Sequence, residues 1–162
     1  MDKTLVRGAM LIALTVVLQS LRLIIPLPPM VSMFFIGSLV NMMLAVTVRL
    51  AGLKPALLSV AVLPVFAYFQ GQLPIPFLIP VVIGGNAVFV LICHWTWRHG
   101  LFLAPLIKTI CMFTSSLILL KVLALPDKIV FAVGFMMGWP QMVTGIIGIL
   151  LARLIVKRAE NI

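Results

Sequence analysis

Asn41, Asn86, Ser115, Ser116 and Gln141 are amides and hydroxyls set inside long apolar runs of a 162-residue chain. Such side chains donate and accept hydrogen bonds, but they are neither acids nor bases at neutral pH. They come from four different runs and fall at similar depths when residues are counted from the run ends. Amides and hydroxyls avoid lipid, so at a shared depth they should converge inside a bundle. Two chemistries fit that arrangement. One is hydrogen bonding between helices, about 0.6 kcal/mol per pair; the other is a buried site that holds a ligand. The residues themselves leave both open.

The charged and nucleophilic residues exclude more than they offer. Asp2, Asp127 and Glu160 are the only acids, and each lies at or beyond the end of an apolar run. No carboxylate is then available in mid-membrane to carry a proton or bind sodium, which argues against an ion-coupled carrier. Lys108 lies about two turns into its run with no counter-ion in the membrane. Either it snorkels to the cytoplasmic face, or it meets an anionic group of a ligand. Cys93 and Cys111 show no metal-ligand spacing, while His94 and His99 sit beside Trp95 and Trp97 in what reads as an interfacial belt. No nucleophile, base and orienting group stand at recognisable spacing. No Gly-x-x-x-x-Gly-Lys-Ser/Thr phosphate loop occurs either, so ATP hydrolysis in any active transport has to come from another subunit. The chain reads as a protein that is not an enzyme and carries neither cofactor nor metal.

The elements that must position these groups follow from composition. Hydrophobic residues make up 64% of the chain and charged residues 9%, with a mean hydropathy of +1.30, far from the roughly half apolar and quarter charged balance of soluble domains. The expected fold class is all-α, an integral membrane bundle of six transmembrane helices. The apolar runs are 4–25, 30–50, 55–69, 77–97, 101–125 and 129–157, close to the length needed to cross a hydrocarbon core of about 30 Å. Short connections join them, so 1–162 forms a single transmembrane domain with no room for a soluble one. The net charge of +9 does not mark a nucleic-acid face, because Lys and Arg collect at run ends. An inside N-terminus puts Lys3, Arg7, Arg49, Lys54, Arg98, Arg153, Lys157 and Arg158 on the cytoplasmic side and only Arg22, Lys121 and Lys128 near the outer side, with both termini in. The first run is too long for a signal-peptide h-region and reads as a retained span.

Within these elements, Ala9-x-x-x-Ala13 sets two small side chains on one face of helix 1, where another helix of the same chain or of a partner can approach closely. Pro26, Pro28 and Pro29 stiffen the first outer connection. A polar third connection, residues 70–76, enters helix 4, and Asn86 falls about 15 Å along that helix, near the bilayer midplane. In helix 6, Gly134, Gly138, Gly145, Gly148 and Ala152 keep one side bare, to pack within the bundle or against another copy. Trp139-Pro140-Gln141 lies among them near the midplane.

Taken together, the short six-span chain, Ala9-x-x-x-Ala13, the Pro-rich first loop, the polar third loop and Trp139-Pro140-Gln141 leading into Gly145-Ile-Ile-Gly148 resemble the substrate-binding S components of energy-coupling factor (ECF) transporters. The resemblance spans nearly the whole chain and rests on the combination rather than on any one motif. It implies residence in a prokaryotic plasma membrane. It also implies that Ala9 and Ala13 face the transmembrane T subunit, itself driven by two cytoplasmic ATPase subunits. The first and third outer loops would close over a vitamin-like nutrient held by helices 4 to 6. Carried over, the contact candidates are Gln70, Gln72, Asn86 and Gln141, with Trp139 as a stacking surface. The aromatic clusters of thiamin-type members and the histidine-led N-terminus of nickel and cobalt members are missing, which leaves the solute open. The surplus of outer positive charge favours a neutral or anionic one. Two other readings are a structural membrane protein of cell-shape or cell-wall machinery and a facilitator working alone.

Overall fold

The computed structural model describes residues 3–97 and 100–159. Asp2, Arg98, His99 and Glu160, which enter the charge pattern, lie outside the described residues. Among the described residues the regular structure is entirely helical: α1 (Lys3–Ile24), α2 (Pro29–Leu50), α3 (Leu53–Phe69), α4 (Leu78–Trp95), α5 (Gly100–Leu123), α6 (Asp127–Met137) and α7 (Trp139–Ala159). Five stretches are long and apolar enough to cross a bilayer, the last being Asp127–Ala159 taken as one. α3 is an apolar helix of 17 residues, roughly 25 Å at the usual rise and so at the lower limit for a span.

The sixth run, expected as one helix, is two. Gly138 leaves helical conformation at ψ −139° and separates α6 from α7. The cause lies two residues on: Pro140 has no N–H to give the carbonyl of Met136 one turn back, and its ring crowds that oxygen. The side chain of Gln141 replaces the lost donor, its Nε2 lying 2.9 Å from Met136 O. Unbroken, 33 residues would reach about 50 Å, well beyond the hydrocarbon thickness.

α2 is the centre of the bundle, packed against α1, α3, α4 and α7. Its closest partner is α7, and the glycines of α7 explain the fit. A Cβ on Gly148 would lie 2.6 Å from Asn41 Cβ, and one on Gly145 would lie 2.7 Å from Pro105 Cβ, distances no side chain tolerates. Gly145, Gly148 and the buried Ala152 thus turn inward, onto α5 and α2, rather than toward another copy. Gly134, on α6, meets no neighbouring atom within 4 Å.

α1 is the least enclosed of the long helices, with α2 and α3 the helices against it among the described residues. Its close contact is made by Gly8, where a Cβ would come within 2.6 Å of Pro55 Cβ. Ala9 and Ala13 are exposed, on a face they share with Met10, Leu14 and Val17. Packing against a helix of the same chain, one of the two readings of this pair, does not occur.

Basic residues gather at one end of the bundle. Arg7 donates to Leu50 O at 3.1 Å and Arg153 to Trp97 O at 2.8 Å, while the Arg49 guanidinium sits 5.8 Å from the Trp97 ring centre. Two apolar clusters divide the interior. The first joins α2, α3, α4 and α7 through residues such as Leu44, Leu63, Phe89 and Ile149. The second joins α4, α5 and α6 through Leu78, Met112, Leu120, Val133 and Met137.

Candidate functional site

Between these clusters, in the half of the bundle away from the basic end, lies a cavity of about 500 Å³, within the usual range for small-molecule sites. Leu63 of the first cluster and Leu73, Met112 and Met137 of the second border it. Its mouth is marked by exposed lining residues of the connections and helix starts, Pro29, Met30, Gly71 and Pro74. Deeper in, Asn41, Asn86 and Lys108 are buried, and the half-buried Gln141 joins them from the start of α7.

Lys108 does not snorkel. It is 3% exposed, and its Nζ donates to Asn41 Oδ1 at 2.6 Å while lying 5.2 Å from the centre of the Phe89 ring. Asn41 Nδ2 in turn donates to Thr144 Oγ1 at 3.2 Å, and that hydroxyl donates to Gln141 O at 3.2 Å. One polar chain thus ties α5, α2 and α7 across the cavity floor. Lys108 is turned inward because it lies on the buried stripe Ala104, Lys108, Met112, Ser116 and Leu120, a repeat of four that keeps one helix face together. Pro105, held against Gly145, fixes the rotation of α5 just before it.

Asn86 comes from the middle of α4 and is 4% exposed. Its Oδ1 is buried without a hydrogen-bond partner, as is Oγ of Ser32, 2% exposed at the start of α2. Both residues line the cavity. A buried acceptor left unpaired costs about 1–3 kcal/mol, so these oxygens are poised for a donor that enters the cavity. Neighbouring Gly85 leaves the room that Met112 takes, since a Cβ there would lie 2.1 Å from Met112 Cγ.

The remaining expected contacts are distributed differently. Gln72 lines the cavity and Gln70 does not. Gln70 Nε2 donates to Ser20 Oγ at 2.8 Å, and its Oε1 accepts from Gln72 Nε2 at 2.8 Å and from Gln19 Nε2 at 3.3 Å. Gln19 Nε2 also lies 3.2 Å from Leu63 O, and Gln72 Nε2 lies 3.3 Å from Gln19 O. This amide cluster fastens the connection after α3 to the end of α1 and so holds one side of the mouth. Gln141 lines the cavity with its side chain turned to the break in the sixth run. Trp139 is outside the lining and 56% exposed, its ring 5.5 Å from Phe34 and 5.8 Å from Phe135.

Ser115 is half-buried outside the lining, and Ser116, though buried, spends its hydroxyl on Phe113 O at 2.8 Å. Ser32 was not among the sequence candidates, because a serine in the first turn of an apolar helix carries no pattern of its own. Lys108 did have a usable signal in the repeat of four just described.

Among the described residues no group of three or more His, Cys, Asp or Glu side chains stands close enough to hold a metal. The cavity can enclose an apolar body, donate from one buried amine and accept at two unpaired oxygens. No family model, curated protein or solved structure matches this chain.

Proposed function

We propose that this chain is the substrate-binding subunit of an ECF-type ATP-driven importer, which captures a small vitamin-like nutrient outside the cell and delivers it inside when docked on a T subunit and two ATPase subunits. The observation behind it is the pairing of a 500 Å³ cavity with the unpartnered Asn86 and Ser32 oxygens on its wall. Interhelical glue would leave no room there and no orphaned acceptors. In this reading the protein crosses a prokaryotic plasma membrane with both termini inside. The bias of basic residues toward the end bearing Arg7, Arg49, Lys54, Arg153, Lys157 and Arg158 supports that orientation, and it opens the cavity mouth to the outside. The start of α2, at Pro29 and Met30, and the connection 70–77 border the entrance, with Gln70 as a latch rather than a contact.

Docking falls to the exposed face of α1 with Ala9 and Ala13, whose small side chains admit a partner helix at short distance. The test separates docking from capture. With Ala9→Trp and Ala13→Trp together, uptake by cells should fall to background while the purified protein keeps its solute. Loss of solute binding with assembly unchanged would overturn this assignment of α1.

A further inference from the structure

We infer that the solute is a monocarboxylate on a largely apolar body, its carboxylate paired with Lys108. The inference rests on the binding reading above and adds the chemical class of what is bound. Lys108 is buried at the cavity wall, and its partner, Asn41 Oδ1, is a neutral amide oxygen that occupies one of the three N–H groups of an ammonium. A lysine buried this way keeps its charge favourably only beside an anion; without one it is either a strongly destabilised ammonium or a neutral amine, and a carboxylate is the partner that suits the charged form. Among the described residues the chain has none to offer: their one acid, Asp127, opens α6, exposed at the far end of the fifth connection. The missing charge is then the ligand's.

The same residues narrow the class. One buried amine matches a single negative charge, and no other cation among the described lining residues is buried; a phosphate dianion would bring an uncompensated charge into the site. Arg22, at the lining near the mouth, adds attraction for anions and opposes cations. Elsewhere the cavity walls are largely apolar and soft, with Met33, Ile36, Met112, Phe135 and Met137 among them, and methionines adapt to irregular shapes. Asn86 Oδ1 and Ser32 Oγ await an N–H or O–H on the same molecule.

The experiment uses full-length protein in nanodiscs of zwitterionic lipid, incubated with the deproteinised aqueous extract of the host cells and, separately, with their free fatty acid fraction. After washing, bound species are identified by mass spectrometry in both polarities. The expected result is a carboxylic acid enriched from the aqueous extract. Lys108→Met should hold that acid about tenfold less well or worse, the size of one charge-assisted hydrogen bond, and Lys108→Arg should recover part of it. Enrichment of a neutral or cationic molecule by the wild type alone overturns the inference and leaves the binding reading standing. Equal retention by a Lys108→Met protein of unchanged melting temperature overturns the pairing with Lys108. An acid taken only from the fatty acid fraction keeps the pairing but makes the occupant a membrane lipid, against the reading of a captured nutrient. If the wild type enriches nothing from either fraction, the binding reading itself fails.

Discussion

Replacing Asn86 by leucine should make the empty protein more stable and destroy its function. The wild-type Oδ1 is buried at the cavity wall with no partner, a state that costs about 1–3 kcal/mol. Leucine has the same heavy-atom branching, its extra bulk can extend into the cavity, and it removes the orphaned oxygen. Its methyls would sit in the wall of a cavity also lined by Val82 and Met112, and an apolar surface of this kind receives them without a new polar penalty. For a chain of this length each kcal/mol moves the melting temperature by about 2–4 °C, so the expected gain is roughly 2–12 °C for the ligand-free protein. The assay is helical circular dichroism against temperature in detergent, on protein stripped of small molecules, with bound solute measured in parallel. Ligand stabilisation, present in the wild type through mass action, should vanish in the variant. A melting temperature lowered by several degrees would refute the reasoning, because it would mean that Asn86 is held by the protein's own groups and is not waiting for a ligand.

Gly148→Val should disrupt the bundle itself: its new Cβ would fall 2.6 Å from Asn41 Cβ and 2.8 Å from Met42 N, backbone that cannot yield, and folded protein recovered by size exclusion should drop severely. Gly134→Val, at a position with no neighbour within 4 Å, is the control and should leave recovery unchanged. Gln70→Leu removes the hub that joins Ser20, Gln19 and Gln72 without touching the cavity lining. It should therefore speed solute release in a filter-binding chase by more than it slows capture, and equal changes in both rates would place Gln70 elsewhere in the mechanism.

The helices were legible because hydropathy alone sets where a chain can cross a membrane, and the run ends agree with the helix ends to within a few residues, as at Leu50 and Phe69. That Asn41, Asn86 and Gln141 come together was legible too, since 1.5 Å per residue converts position into height along each helix. What the sequence hides is direction around the helix axis. Ala9 and Gly8 are adjacent and both small, yet Gly8 meets Pro55 and Ala9 faces outward, a choice made by the shape of α3. Gln70 and Gln72 are two residues apart in an irregular connection, where no period says which points into the cavity. The split at Gly138 was readable in principle from Pro140, but a proline near a helix start is also well tolerated, and only the tertiary position of α6 on α5 decides between a start and a kink. Lys108 is legible only in part: the repeat of four puts it on the inward face of α5, but a lysine two turns from a helix end has the reach to snorkel, and the partner that holds its amine, Asn41, is on a different helix.

The account stands or falls on whether the cavity holds a solute. Native mass spectrometry of the protein, purified in mild detergent from cells that make the whole assembly, measures this directly. The account predicts a mass excess from one small molecule, lost in Asn86→Leu, together with a population bound to a T subunit and two ATPase subunits. A bare mass in every preparation, with no small molecule and no ATPase attached, would contradict it and favour a structural role for the polar network around Asn41.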